Sequence, residues 1–166
     1  HVAVRYVRDE KTMADYAPAD SLKARVGVIF GQRIVSDLRR VESAGALGLE
    51  GLIGPPSEAK STTRHYHIFI NGRYVRDRVV MAGIQSGYGV TLPKGKHPFI
   101  VLKLRLPPQL VDVNVHPAKT EVRFSDSRSV HRLVARAVDA LIRTHGETSP
   151  IDGQKAAPIP EDLTPK

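Results

Sequence analysis

The octapeptide FIVLKLRL, residues 99–106, constrains the fold more than any other stretch. Ile100, Leu102, Leu104 and Leu106 fall on one face of an extended chain, while Lys103 and Arg105 fall on the other. Pro107 and Pro108 then end the run, because proline cannot donate to a sheet ladder. A strand with one greasy face needs a second layer to cover it. The sequence supplies one in SRSVHRLVARAVDALIRTH, residues 127–145. There Val130, Leu133, Val134, Ala137, Val138 and Leu141 recur at helical spacing.

The remaining segments fit the same plan. HVAVRYVRD alternates weakly and reads as a first strand. PADSLKARVGVIFG reads as a helix begun by Pro18 with Asp20 or Ser21, carrying Leu22, Val26 and Ile29 on one face and closed by Gly31. LRRVESAGALGLEGLIGPP gives two short strands with a glycine-rich break, and SEAKSTTR is a polar loop. In HYHIFING, Tyr66, Ile68 and Ile70 share a strand face and Asn71-Gly72 signals a tight turn. RDRVVMAGIQSGY is a helix weakened by Gly83, and GVTLPKGKHP is a loop. The expected fold is an α+β domain of two layers, a mixed sheet with helices on one face. The other face, partly polar, should look to solvent or to a neighbouring domain. Residues 1–145 form this domain. Residues 146–166, with four prolines and no periodicity, read as the start of a flexible linker.

Several chemistries are excluded at this level. The chain has no cysteine, so disulfides, thiol catalysis and cysteine-rich zinc sites are out. His65 and His67 share a strand face, but no carboxylate or third histidine stands at ligand spacing, and no metal site is expected. The loop from Gly89 to Gly95 fails as a phosphate loop: it holds five intervening residues where four are needed, and His97 follows Lys96 in place of Ser or Thr. No G-x-S-x-G elbow exists. No apolar run approaches the ~20 residues of a membrane span, and the N-terminus lacks the apolar core of a signal peptide. A chain opening on His1 reads as a piece of a longer protein.

What remains is positive charge. The net charge of +8 favours polyanions, nucleic acid first. In NGRYVRDR, Arg73, Arg76 and Arg78 crowd a turn and a helix start, where they oppose the helix dipole. An external anion explains that placement better than stability does. Arg128, Arg132 and Arg136 form a second row one helical turn apart, for which a solvated face and DNA contact both stay open. In VDVNVHPAKTEVRF, residues 111–124, an alternating strand is broken by Pro117 and resumes at Val122 and Phe124. The break presents Lys119, a flexible point charge suited to phosphate.

Together with IFINGRYVRDR, this last motif closely resembles the MutL family of DNA mismatch-repair proteins. The likeness runs from the first helix with its terminal IFG to the final helix. It implies the second, transducer-like domain of the ATPase region of a MutL-type protein. That fold is shared with ribosomal-protein and gyrase transducer domains and has a left-handed β-α-β crossover. It follows a nucleotide-binding domain of the gyrase, Hsp90, histidine-kinase and MutL (GHKL) superfamily. By the resemblance, Lys119 is the catalytic and nucleotide-binding residue, reaching the γ-phosphate of ATP held by the neighbouring domain. Arg76 and Arg78, with Arg73, are the DNA-binding residues.

The nucleotide domain's own Glu and Asn helix motif and D-x-G-x-G lid are absent, so this chain alone is expected to hold no cofactor and to be no enzyme. ATP and Mg²⁺ belong to the full-length protein, a weak ATPase. Its implied partners are sequence-nonspecific DNA, MutS and a second copy of itself. Its implied location is the bacterial cytoplasm, at the nucleoid when acting. Two alternatives stand beside this reading. A topoisomerase II-type transducer fragment is opposed by the HPAKTEVRF run, and a free-standing RNA- or ribosome-binding domain of the same fold leaves Lys119 without a purpose.

Overall fold

A computed structural model of the chain describes residues 3–112 and 122–146. A five-stranded mixed sheet forms its centre, in the order β3-β4-β7-β5-β6. The strands are β3 (Arg39–Ser43), β4 (Gly48–Ile53), β5 (Tyr66–Ile70), β6 (Arg73–Val75) and β7 (Ile100–Arg105). β5 and β7 are parallel neighbours and the other pairings are antiparallel. The connection between β5 and β7 runs through β6 and helix α3 (Arg78–Tyr88), which makes a β-α-β crossover. The expected α+β class and mixed sheet are therefore observed.

The register sorts the side chains as the alternation of residues 99–106 requires. Ile100, Leu102 and Leu104 lie level with Ile53, Gly51 and Leu49 across β4, and with Tyr66, Ile68 and Ile70 across β5. This face is sealed by α3 and by α4 (Ser127–Gly146), through Val80, Ile84, Tyr88, Val130, Val134 and Val138. The six side chains of α4 expected inward do pack on this core: Val130, Val134 and Val138 are buried, and Leu133, Ala137 and Leu141 are partly so.

Tyr88 donates its hydroxyl to the Gly54 carbonyl at 2.5 Å. Burial raises its phenol well above the ordinary tyrosine range and pushes Tyr66 up to about 12. A folded-state value above the unfolded one gives stability that is whole below about pH 10 and is lost as pH climbs toward 12. Urea midpoints should accordingly hold steady up to that point and drop beyond it. Tyrosinate absorbance of the native chain should stay below that of the chain in urea until it unfolds. Matching titrations in both states would contradict the burial of these rings.

Helix α1 (Leu22–Phe30) starts where its sequence signals stand. Ser21 caps it, its hydroxyl oxygen accepting from the Ala24 amide at 3.0 Å, and Gly31 ends it at a φ of 95°. Two expectations change here. Ile29 is exposed, and Phe30 takes its place against the protein. Moreover, α1 and the short α2 (Gln32–Ser36) lie on the opposite face of the sheet. Val26, Val35 and Leu38 pack there on Leu52 and Val101, with Phe30, Phe69 and Phe99 alongside. The two long helices do share one face. The second face is not left wholly to solvent, because Leu52 and Val101 are apolar on the side expected to be polar.

An N-terminal hairpin stands apart as its own two-stranded sheet, β1 (Val4–Arg8) and β2 (Lys11–Tyr16). A two-residue ladder, β8 (Val111–Asp112) with β9 (Arg123–Phe124), closes the stem of the HPAK segment. Gly146, expected to begin the linker, is the last residue of α4, while Lys119 and residues 147–166 of that expected linker lie outside the described residues.

Candidate nucleic-acid interface

The NGRYVRDR segment is held at the end of the sheet by one asparagine. Asn71 and Gly72 both have positive φ, 49° and 82°, the backbone of a primed hairpin turn. The Asn71 side chain then clamps the end of β7. Its amide donates to the Leu106 carbonyl and its oxygen accepts from the Leu106 N–H, both at 2.9 Å. This fixes where β6 begins and hence where the arginines emerge.

The three arginines diverge. Arg73 is exposed at the turn. Arg76 donates through Nε to the Tyr74 hydroxyl at 3.2 Å, an interaction that raises its already high pKa. Tyr74 in turn packs edge-on to Phe69, at 5.8 Å between ring centres, on the face of the sheet away from α3 and α4. Val75 between them is fully buried. Asp77 is buried too and caps α3, its carboxylate accepting from the Val79 and Val80 amides at 2.8 and 3.0 Å. Arg78, the next residue, opens the helix toward α4.

The approach of α4 depends on two glycines. A Cβ on Gly83 would stand 3.0 Å from the His131 carbonyl and from Val134 Cβ. One on Gly87 would stand 2.7 Å from the Ala135 carbonyl and 2.5 Å from Val138 Cβ. Four residues along α3 match four along α4, so the helices run parallel with backbones nearly touching. Gly83 thus permits this packing, a role that a reading of it as a helix-weakening residue misses. Parallel packing brings both helix N-termini to one end of the molecule, each with its partial positive charge. Asp126 caps α4, its Oδ1 accepting from the Ser129 amide at 3.0 Å. Hydrogen bonds from Ser129, with Arg132 nearby, hold the Asp126 carboxyl below the usual carboxylate range.

Between the two helix starts lies an open groove of about 590 Å³. Arg78, Val79, Ala82, Arg128, His131 and Arg132 line it, and its surface is mostly apolar, so the arginines border it by their aliphatic stems. Among the described residues no carboxylate lines this groove. Nor, among them, does any of Arg73, Arg76, Arg78, Arg128, Arg132 and Arg136 have a carboxylate within ion-pairing distance, whereas Arg5, Arg40 and Arg143 each do. The second arginine row is therefore split. Arg128 and Arg132 share the groove with Arg78, while Arg132 also lines a neighbouring depression with Arg136 and Glu42. This convergence joins residues some fifty positions apart, and no local spacing announces it. The small residues of α3 at Ala82, Gly83 and Gly87 are its only trace in the sequence.

No group of three or more potential metal ligands occurs among the described residues. No helix among them is long and apolar enough to cross a membrane.

The comparisons with known proteins agree with one another. Residues 26–143 match the family described as DNA mismatch repair protein, C-terminal domain. The DNA mismatch repair protein MutL of Neisseria meningitidis (serogroup A) is 38% identical over 175 aligned residues, covering 98% of this chain and 26% of the relative. That of Kosmotoga olearia is 36% identical over 143 residues, covering 86% and 24%. The chain thus spans about a quarter of the length of these relatives. Among solved structures, the N-terminal domain of a DNA repair protein superposes with a TM-score of 0.69 at 18% identity, covering 89% of this chain and 49% of that one. The ATP-binding domain of topoisomerase IV from Francisella tularensis gives 0.52 at 14% identity, covering 90% and 44%. Both likenesses speak for the fold, and the sequence match decides the lineage. The chain belongs to the MutL family of DNA mismatch-repair proteins.

Proposed function

We propose that this chain is the transducer domain of a MutL-type ATPase, coupling the nucleotide state of an adjoining domain to contacts with DNA. In this reading ATP and Mg²⁺ are held by that other domain. Lys119 is offered to the γ-phosphate, and basic residues around the start of α3 meet DNA phosphates. In the full-length protein the partners would be DNA of any sequence, MutS and a second copy, within the bacterial cytoplasm and at the nucleoid. The observation that carries the DNA part is that, among the described residues, Arg73, Arg76, Arg78 and Arg128 have no carboxylate within ion-pairing distance, whereas Arg5, Arg40 and Arg143 do. Guanidiniums so placed near two helix N-termini serve an incoming anion better than they serve stability.

The targets are phosphates, so binding should ignore sequence and weaken as salt rises. For every phosphate that a variant no longer neutralises, the log–log salt slope should fall by ~0.9 on duplex DNA or ~0.7 on single strands. Arg76→Glu combined with Arg78→Glu should weaken binding at low salt and flatten the slope by roughly twice that amount. Arg132 lines the same groove as Arg78 and cannot serve as an indifferent control. Lys94 and Lys96, in the loop past the C-terminal end of α3, can. Fluorescence anisotropy at several salt concentrations decides it. Equal losses from the Lys94/Lys96 reversals would assign binding to diffuse charge and sink the interface.

A further inference from the structure

We infer that Tyr74 and Phe69, with Arg76, Lys103 and Arg105 around them, form a stacking site for an unpaired base of single-stranded DNA on the sheet face opposite α3 and α4. The inference rests on the nucleic-acid reading above and extends it to a second surface and to the bases themselves. The register draws one row across that face: Lys103 of β7 lies level with Phe69 of β5, which lies level with Tyr74 of β6. Two residues further along β7, Arg105 points to the same side. Helices α1 and α2 cover this face around Leu52 and Val101. Beyond that cover Tyr74, Arg76, Lys103 and Arg105 are exposed, and Phe69 is half-buried.

A tyrosine on a three-residue edge strand, 37% exposed, contributes little to a core. Its contacts suit it to a ligand instead. The Tyr74 and Phe69 rings meet at 67°, an edge against a face, so Phe69 leaves at least one face of Tyr74 uncovered. The Tyr74 hydroxyl accepts from Arg76 Nε at 3.2 Å and holds the guanidinium beside the ring, where its terminal nitrogens can donate to a phosphate. The acids of this face sit at its far side. Glu42 on β3 pairs with Arg40 at 2.8 Å, and Glu50 on β4 pairs with Lys103 at 3.6 Å. Both pairs are exposed and therefore weak, so Lys103 can exchange its partner for a phosphate. Aromatic rings flanked by cations on an open sheet grip a single strand, ring against base and charge against backbone. A duplex keeps its bases stacked inside, so only an unpaired base can lie on Tyr74.

The test is fluorescence anisotropy on the 166-residue chain with labelled oligothymidine, an abasic strand of the same length, and a duplex. Tyr74→Phe keeps the ring and Tyr74→Leu does not, while both lack the hydroxyl that meets Arg76. Tyr74→Phe should bind oligothymidine within about twofold of wild type, and Tyr74→Leu about tenfold more weakly than Tyr74→Phe. On the abasic strand and on the duplex the two variants should bind alike, which also shows that Tyr74→Leu keeps its fold. Their salt slopes on oligothymidine should match, because the ring makes no phosphate contact. Equal oligothymidine affinities of the two variants, or the same tenfold gap on the abasic strand, overturn the inference. The parent reading is tested separately by the Arg76/Arg78 reversal. Unchanged duplex binding in that variant removes the interface at the start of α3, whatever Tyr74 does. A loss there, with no difference between the two Tyr74 variants, removes only the stacking site.

Discussion

Replacing Lys119 by alanine in the full-length protein should lower steady-state ATP hydrolysis about a hundredfold or more, with ATP still bound. A positioned donor facing charge that develops on a transferring phosphoryl group is worth ~2.7 to 4 kcal/mol when removed. Most nucleotide affinity comes from adenine, Mg²⁺ and the inner phosphates, which this lysine does not reach in the proposed arrangement. The loss should thus fall on turnover and spare binding, the pattern of an interaction made in the transition state. The fold should survive, because the stem on either side is anchored independently. Val122 and Phe124 are buried in the main core, and the Ser125 amide donates to the Leu110 carbonyl at 3.1 Å. Lys119→Arg is the informative companion. It keeps the charge and exchanges a compact ammonium for a planar fork, so partial recovery would mark charge as the main contribution. Wild-type turnover in Lys119→Ala with nucleotide bound would leave Lys119 an ordinary surface lysine and remove the γ-phosphate contact from the proposal.

Two kinds of information were legible in the sequence to different degrees. Periodicity over residues 99–106 and 127–145 showed the strand observed at 100–105 and the helix observed at 127–146, because each buries one face. The Asn71-Gly72 turn was legible because its backbone needs positive φ at both positions. The strand β2 escaped notice for the converse reason. Its turn is made by Asp9 and Glu10 at φ 48° and 61°, without the usual asparagine or glycine, and both strands are largely exposed, so no apolar alternation is imposed. Helix α2, with five residues, is too short to carry a period. The cover on the second sheet face did leave a signal. Val101 interrupts the polar side of residues 99–106, and Leu52 lies level with it. The arginine groove was hardest to see. Local spacing finds each row but not their meeting, which depends on how closely α3 and α4 pack.

That closeness has a measurable consequence. Gly87→Val should destabilise the domain by about 3 kcal/mol, a loss of more than a hundredfold in the ratio of folded to unfolded chain. The first added carbon would already stand 2.5 Å from Val138 Cβ and 2.7 Å from the Ala135 carbonyl. Neither neighbour is the end of a flexible chain, so one helix must move. Valine regains only a few tenths of a kcal/mol of helix propensity over glycine, too little to offset the overlap. Gly27 in α1 makes the contrast. The three atoms nearest a Cβ there all belong to the side chain of Gln32, whose amide nitrogen at 2.7 Å can swing aside. Gly27→Ala should therefore stabilise, by roughly 0.5 to 1 kcal/mol. Denaturant unfolding followed by circular dichroism reads both signs. The two effects also differ in reach, because pushing α3 from α4 widens the groove between Arg78 and Arg128. A stabilised Gly27→Ala should bind DNA as wild type does, while Gly87→Val should lose affinity even under conditions where it remains folded. A Gly87→Val chain as stable as wild type would show that the helices do not meet at the backbone. The convergence of Arg78 with Arg128 and Arg132 would then lose its structural basis.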